Sequence, residues 1–273
     1  MELRRMPPDP SANPVKRLVR LESEAAIKHA PAVSRAVTVL RLLASDQTGL
    51  GVNEIARRVN LVPSTCFHVL RALVDEDFVI FSPENKSYRL NTGLLTLTRN
   101  ALDKAKFPNA VQPELERLAI EHDTTAVAMG LNHRGWMVIL TKSSADRPIS
   151  RYLKPGRQFP ELIGATGRCV AAVSGLSREE LRARFEVLHW ERPPKFEDWY
   201  AEVVRTRKSG IGVDRGNFVE GVIAVATLLP NCPSCNVQGI ALVGFCHDLS
   251  EKMLRTLKKS LIGARETVAS RLS

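Results

Sequence analysis

The cysteines are the first place to look for chemistry. Cys232-Pro-Ser-Cys235 sets two thiols at zinc-knuckle spacing, and Cys246-His247 follows after ten intervening residues. A structural zinc takes four ligands, so these residues form a metal site only if a hairpin folds the second pair onto the first. Two exposed thiols in a turn also suit a redox switch, and a turn holding two unreactive cysteines is the plainer reading. A thiol-dependent enzyme would need a further cysteine near its pocket, for which Cys169 is the candidate. The histidines at 29, 68, 122, 133, 189 and 247 include no His-x-x-x-His pair. No Gly-x-Ser-x-Gly and no Walker-type phosphate loop occurs. The chain is therefore expected to be no enzyme, with no catalytic residue, cofactor or bound metal.

A second set of residues suits recognition. Over 64–75 the helical period puts Cys66, Val69, Leu70 and Leu73 on one face and Ser64, Thr65, Phe67, His68 and Arg71 on the other. Hydroxyls and free N–H groups at a helix start hold phosphate oxygens. Arg71 and His68 reach phosphates or base edges, and Phe67 suits a thymine methyl. Arg57 and Arg58 precede this helix, and Lys86 and Arg89 follow it in a turn and strand.

These side chains need elements to hold them. Residues 31–45 place Val33, Val37, Leu40 and Ala44 at helical spacing with Pro31 in the first turn. Residues 52–59 read as a short helix, and Ser64 or Thr65 as the cap of a third, which runs to about Asp75. Two short strands, Phe78–Phe81 and Ser87–Leu90, flank a turn. Three helices and a hairpin make a winged helix-turn-helix. Residues 91–106 form another helix, striped by Leu94, Leu97, Thr98, Ala101 and Leu102, with Pro108 ending it. So small a domain cannot bury that stripe, so the helix is expected to link domains or pair across a dimer. Beyond Asn109 helices alternate with strands, including a strand at Ile149–Leu153 and a closing helix, Ser250–Leu272, which reads as an α+β domain.

The composition is that of a soluble globular chain: 273 residues, 44% hydrophobic and 25% charged. No apolar run is long enough for a bilayer, the N-terminus lacks a secretory h-region, and five cysteines make no disulfide framework, so a reducing cytoplasm is expected. The formal charge of +10 suggests an anionic partner. Its distribution is uneven: 6 basic against 4 acidic side chains in 1–30, 9 against 7 in 31–105, and 24 against 18 in 106–273.

Longer stretches carry a resemblance. SRAVTVLRLLAS, VNEIARRVNLVPSTCFHVLRALVDEDFV and KSYRLNTGLLTL, then PELERLAIEHDTTAVAMG, GATGRCVAAVSGLSREELRARF and GIGVDRGNFVEGVIAVATLL, resemble in order the IclR family of bacterial transcriptional regulators over about residues 31–272. His68 stands where the family commonly has a basic residue, usually Arg, and Asn91 where it has Gly. The resemblance implies a flexible arm (1–30), a winged helix-turn-helix (31–90), a linker helix (91–107) and a GAF-like effector-binding domain (108–273). It implies double-stranded operator DNA as partner, a homodimer or dimer of dimers, no membrane, and control by a small-molecule effector, an organic or aromatic carboxylic acid. The implied effector site comprises Gly164, Ala165 and Thr166 at a helix start, Asp214, and the small wall residues Ala224, Ala241 and Val243. Tight helix–sheet packing explains the same Gly/Ala/Thr cluster. Arg168 is open to pairing with an anionic ligand or with Glu161. The alternative is a GAF-like sensory or thiol-redox module acting without DNA.

Overall fold

The computed structural model describes residues 30–46, 48–103, 105–145, 147–230, 237–246 and 250–272, except for the side chains of 100–103. These fall into two compact units, one within Ala26–Ala105 and the other within Lys106–Ser273. The expected arm, the Cys232/Cys235 pair and His247 lie outside the described residues.

The first unit holds α1 (Pro31–Ser45), α2 (Val52–Arg58), α3 (Pro63–Asp75), the antiparallel hairpin β1 (Val79–Ser82) and β2 (Ser87–Leu90), and α4 (Gly93–Asp103). Its core is Val39, Leu43, Ile55, Ala56, Cys66, Leu70, Leu73, Val79 and Tyr88. Helix α1 is apolar around most of its circumference and buries Val39 and Leu43, leaving Val33 and Val37 exposed on the other face. Gly49, at φ +90°, lets β2 pack close: a Cβ there would lie 2.7 Å from Arg89 Cγ. Asn91, the departure from the family pattern, donates from its amide to Asp77 Oδ1 at 2.5 Å. Asp77 itself sits at φ +61°.

In the second unit, α5 (Lys106–His122) precedes β3 (Thr125–Leu131) and β4 (Trp136–Lys142). Pro108 does not end a helix as expected. It lies in the first turn of α5, where its missing N–H has no intrahelical partner to lose. Residues Pro148–Arg151 form a 3-10 turn, so the strand expected at Ile149–Leu153 is absent; the edge strand is β5 (Gln158–Pro160). Pro148 and Pro155 explain the difference, since proline lacks the N–H a strand ladder needs. Then come α6 (Gly164–Val173), α7 (Arg178–Glu186), α8 (Phe196–Ser209), β6 (Ile211–Arg215), β7 (Val222–Leu228), β8 (Gln238–Phe245) and α9 (Glu251–Leu272).

The six strands order as β5-β4-β3-β8-β7-β6, with neighbours antiparallel. Period-two alternation divides their side chains between two cores. Ala126, Ala128, Ile223, Val225, Ile240 and Leu242 face α5 and α9, whose stripe Leu254, Leu257, Leu261, Ala264 and Val268 is buried. Val127, Met129, Ala226 and Ala241 face the opposite way, toward α6, α7 and α8, where Trp199, Leu181 and Phe185 complete the second core.

Candidate functional site: a recognition helix and a sensor cavity

In the first unit the site is built on α3. Its N-cap is Val62 and Pro63 opens the helix, so Ser64 and Thr65 do not cap it as expected; no side chain does. Proline at the first position presets the helical φ and supplants the hydroxyl cap. Ser64 and Thr65 fall in the first turn instead, where their N–H groups precede the first intrahelical bond, Cys66 N–H to Val62 O at 3.0 Å. Cys66, Leu70 and Leu73 are buried and Val69 half-buried, while Ser64, Phe67, His68 and Arg71 are exposed and Thr65 is half-buried. Phe67 is 43% exposed, a large apolar surface to leave in water. Lys86 stands at the hairpin turn with φ +47°. Arg71, Lys86 and Arg89 have no ion-pair partner among the described residues. Arg57 and Arg58 differ. Arg57 Nε and Nη2 donate to Glu54 at 3.0 and 2.7 Å, and Arg58 Nε to the same carboxylate at 2.6 Å. Those bonds, Arg57's first, pull the Glu54 pKa down to about 2.

In the second unit a cavity of about 570 Å³ opens between the sheet and the start of α6. Gly164, Ala165, Thr166, Asp214, Ala224, Ala241 and Val243 all line it. Strand register brings the last four together. Asp214 pairs with Ala224, and Ala224 with Val243; Ala226 and Val127 flank Ala241 in the next row. The volume suits a small organic ligand. Sequence reading missed Val127, Met129, Met137, Ile139, Phe159 and Phe218, which supply much of the apolar lining. Alternation along β3 and β4 signalled the first four; nothing in the sequence signalled Phe159 and Phe218, which meet from different loops with rings 5.6 Å apart.

The Gly/Ala/Thr cluster divides between residues that line the cavity and residues that pack. Gly167 and Gly212 serve packing: a Cβ on Gly167 would lie 2.0 Å from the Leu162 carbonyl carbon, and one on Gly212 2.1 Å from Ala165 O. Gly164, at φ +67°, turns the chain into α6 at the cavity edge. Thr166 is 8% exposed, and its hydroxyl has no hydrogen-bond partner among the described residues.

Arg168 is fully buried and does not meet Glu161, which pairs with Arg184 at 2.5 Å. Arg168 instead turns back along α6 toward Gly164 and Asp214. Its Nε donates to Glu202 at 2.5 Å, Nη1 to Gly164 O at 2.9 Å and Nη2 to Asn217 Oδ1 at 2.8 Å, while Asp214 Oδ1 lies 3.5 Å from Nη1. Asp214 accepts from Asn217 N–H and Phe218 N–H, both at 3.1 Å. Burial pushes the Asp214 carboxyl above the usual range, against the pull of Arg168 and those donors. Arg168 thus braces the wall that carries Gly164 and Asp214.

Cys169 does not line the cavity. Its thiol contacts Ala226 O at 3.3 Å, and burial pushes its pKa up to about 12, the wrong direction for a nucleophile.

A winged helix-turn-helix followed by an α+β domain enclosing a ligand-sized cavity defines a DNA-binding regulator with a sensory domain. The chain matches the IclR helix-turn-helix domain over residues 32–82 and the bacterial transcriptional regulator IclR C-terminal domain over 99–270. It belongs to the IclR family of bacterial transcriptional regulators. It is 24% identical to a glycerol operon regulatory protein of Streptomyces coelicolor, over 88% of this chain and 94% of that one. A second glycerol operon regulatory protein, from Streptomyces griseus, is 26% identical over 71% of this chain and 76% of its own. Among solved structures, an IclR regulator from Alicyclobacillus acidocaldarius aligns with a TM-score of 0.77 at 24% identity, over 90% of this chain and all of that one. An IclR homologue from Microbacterium hydrocarbonoxydans, complexed with 4-hydroxybenzoate, aligns at 0.71 and 17% identity, over 88% of this chain and 99% of its own. Among the described residues no helix is long and apolar enough to cross a membrane.

Proposed function

We propose that this regulator binds operator DNA through α3 and the β1–β2 wing and responds to a small organic or aromatic carboxylic acid held in the sensor cavity. The division of labour follows the expected bounds, with 31–90 as the DNA-binding domain, 91–107 as the linker helix and 108–273 as the effector domain, in the cytoplasm. Leu97, 57% exposed on the α4 stripe, supports pairing of linker helices in a homodimer or dimer of dimers. Ser64, Thr65, Phe67, His68 and Arg71 face the major groove, and Arg57, Arg58, Lys86 and Arg89 the phosphates. The cavity carries the sensor half of the reading. An apolar wall of Ala224, Ala241 and Val243 suits a ring or alkyl body, and the Ala165 and Thr166 N–H groups with the Thr166 hydroxyl suit a carboxylate. The 4-hydroxybenzoate held by a structural neighbour is a molecule of this class.

Two variants test the two halves separately. Alanine at Ser64, Thr65 and Arg71 together abolishes operator binding. Thr166→Trp fills the cavity mouth and removes the effector response while operator binding persists. Operator affinity and salt dependence unchanged in the triple variant refute the α3 interface; a response unchanged by Thr166→Trp places the effector elsewhere.

A further inference from the structure

We propose that Glu54 is an electrostatic brake on DNA binding, weakening the phosphate contacts of Arg57 and Arg58 so that sequence-independent affinity stays low. The inference rests on the placement of those arginines at the DNA backbone. The unit carrying α3 has only 9 basic against 7 acidic side chains over 31–105, so two cations weigh heavily in its attraction to a duplex. Both are committed to one carboxylate. Arg57 places its planar fork on both oxygens of Glu54, and Arg58 adds a third charge-assisted bond. These are spacings of three and four residues along α2, so the cluster forms whenever the helix does.

A phosphate approaching Arg57 meets a guanidinium whose charge Glu54 already balances, and the carboxylate repels it. The carboxylate stays ionised at any working pH, being held at about 2. The cluster also helps α2 itself, with Glu54 in its first turn and the arginines in its last, each matched to the helix dipole. That structural role does not depend on DNA, so binding measurements separate it from the brake. The functional gain is discrimination. Contacts from Arg57 and Arg58 to phosphates would strengthen binding to every sequence alike, so restraining them leaves the choice of site to α3.

The test uses the full chain, a random-sequence 30-base-pair duplex and fluorescence anisotropy across a sodium chloride series. Glu54→Gln keeps the shape and removes the charge. It is expected to tighten binding to the random duplex about three- to tenfold. It also steepens the log–log salt dependence by about 0.9 for each phosphate newly engaged. Arg57→Ala then weakens binding at least about threefold more in the Glu54→Gln background than in the wild-type one, because only there is the guanidinium released. Binding by Glu54→Gln equal to or weaker than wild type, with an unchanged salt slope, overturns the brake and leaves Glu54 a helix-stabilising residue. Its mark would be a lowered thermal midpoint alone. If no variant, wild type included, binds the duplex even at low salt, the DNA-binding reading falls and the brake with it.

Discussion

Replacing Arg168 by Met tests whether the sensor wall is held by a charge or only by packing. The guanidinium is fully buried, and Asp214 is 3% exposed. Met fills much of the same volume, so the loss is the charge and its three hydrogen bonds, leaving a buried carboxylate uncompensated. Removing one partner of a buried pair costs about 3–5 kcal/mol. For a unit the size of Lys106–Ser273 that is a fall in Tm of about 6–20 °C. All three tryptophans (136, 190 and 199) lie in this unit, so intrinsic fluorescence reports its unfolding specifically. The pH dependence has a definite sign. Asp214 is raised in the folded state by burial, and losing Arg168 raises it further. A raised carboxyl favours folding where it is protonated and disfavours it as pH climbs through the folded pKa. The deficit of Arg168→Met is therefore larger at pH 7.5 than at pH 5. Asp214→Asn in the Arg168→Met background should recover part of the loss, because the stranded charge goes with it. A deficit under about 1 kcal/mol, one independent of pH, or strictly additive costs in the double variant would refute the reasoning.

Three more expectations follow from single positions. Gly167→Ala should destabilise the sensor unit by about 3 kcal/mol or more, because its Cβ would lie 2.0 Å from backbone that cannot retreat. Gly263→Ala in α9, where a Cβ meets nothing within 4 Å, should stabilise by up to about 1 kcal/mol; paired thermal melts check both. In the folded chain at pH 8, iodoacetamide should alkylate exposed Cys246 and leave Cys169 untouched, as peptide mass spectrometry would show. Rapid labelling of Cys169 would revive a thiol chemistry that its burial now argues against.

The parts of the fold legible in the sequence are those governed by period. The Leu254–Val268 stripe and the inward face of α3 follow from spacing alone, because one side of each is wet. Where both sides are buried or both exposed the period loses its meaning. Helix α1 has apolar residues at Val33, Val37 and Leu40 as well as at Val39 and Leu43, and spacing alone did not say which face would be covered. Local chemistry misled in two places. A serine–threonine pair suggested a cap, but Pro63 had already fixed the start of α3. Ile149–Leu153 has strand-like side chains, but the flanking prolines leave it a 3-10 turn. Long-range partners were invisible for a different reason. Arg168 to Glu202, Asn217 and Asp214 spans 34 to 49 residues, and no rule of spacing chooses those carboxylates over Glu161.

Those long-range contacts show how the cavity wall is built. In α6, Gly164, Ala165 and Thr166 line the space, while Gly167 packs on the Leu162 backbone and Arg168 braces Gly164 O and Asp214 from within the wall. Gly212 lets Ala165 O approach β6 at one row of the sheet. Two residues further along, Asp214, Ala224 and Val243 stand side by side and line the cavity beside Gly164 at the start of α6. The cavity thus lies beside the tight contact of α6 with β6. Its shape depends on the tight contact next to it, and substitutions that loosen Gly167 or Arg168 should alter ligand response without touching the ligand.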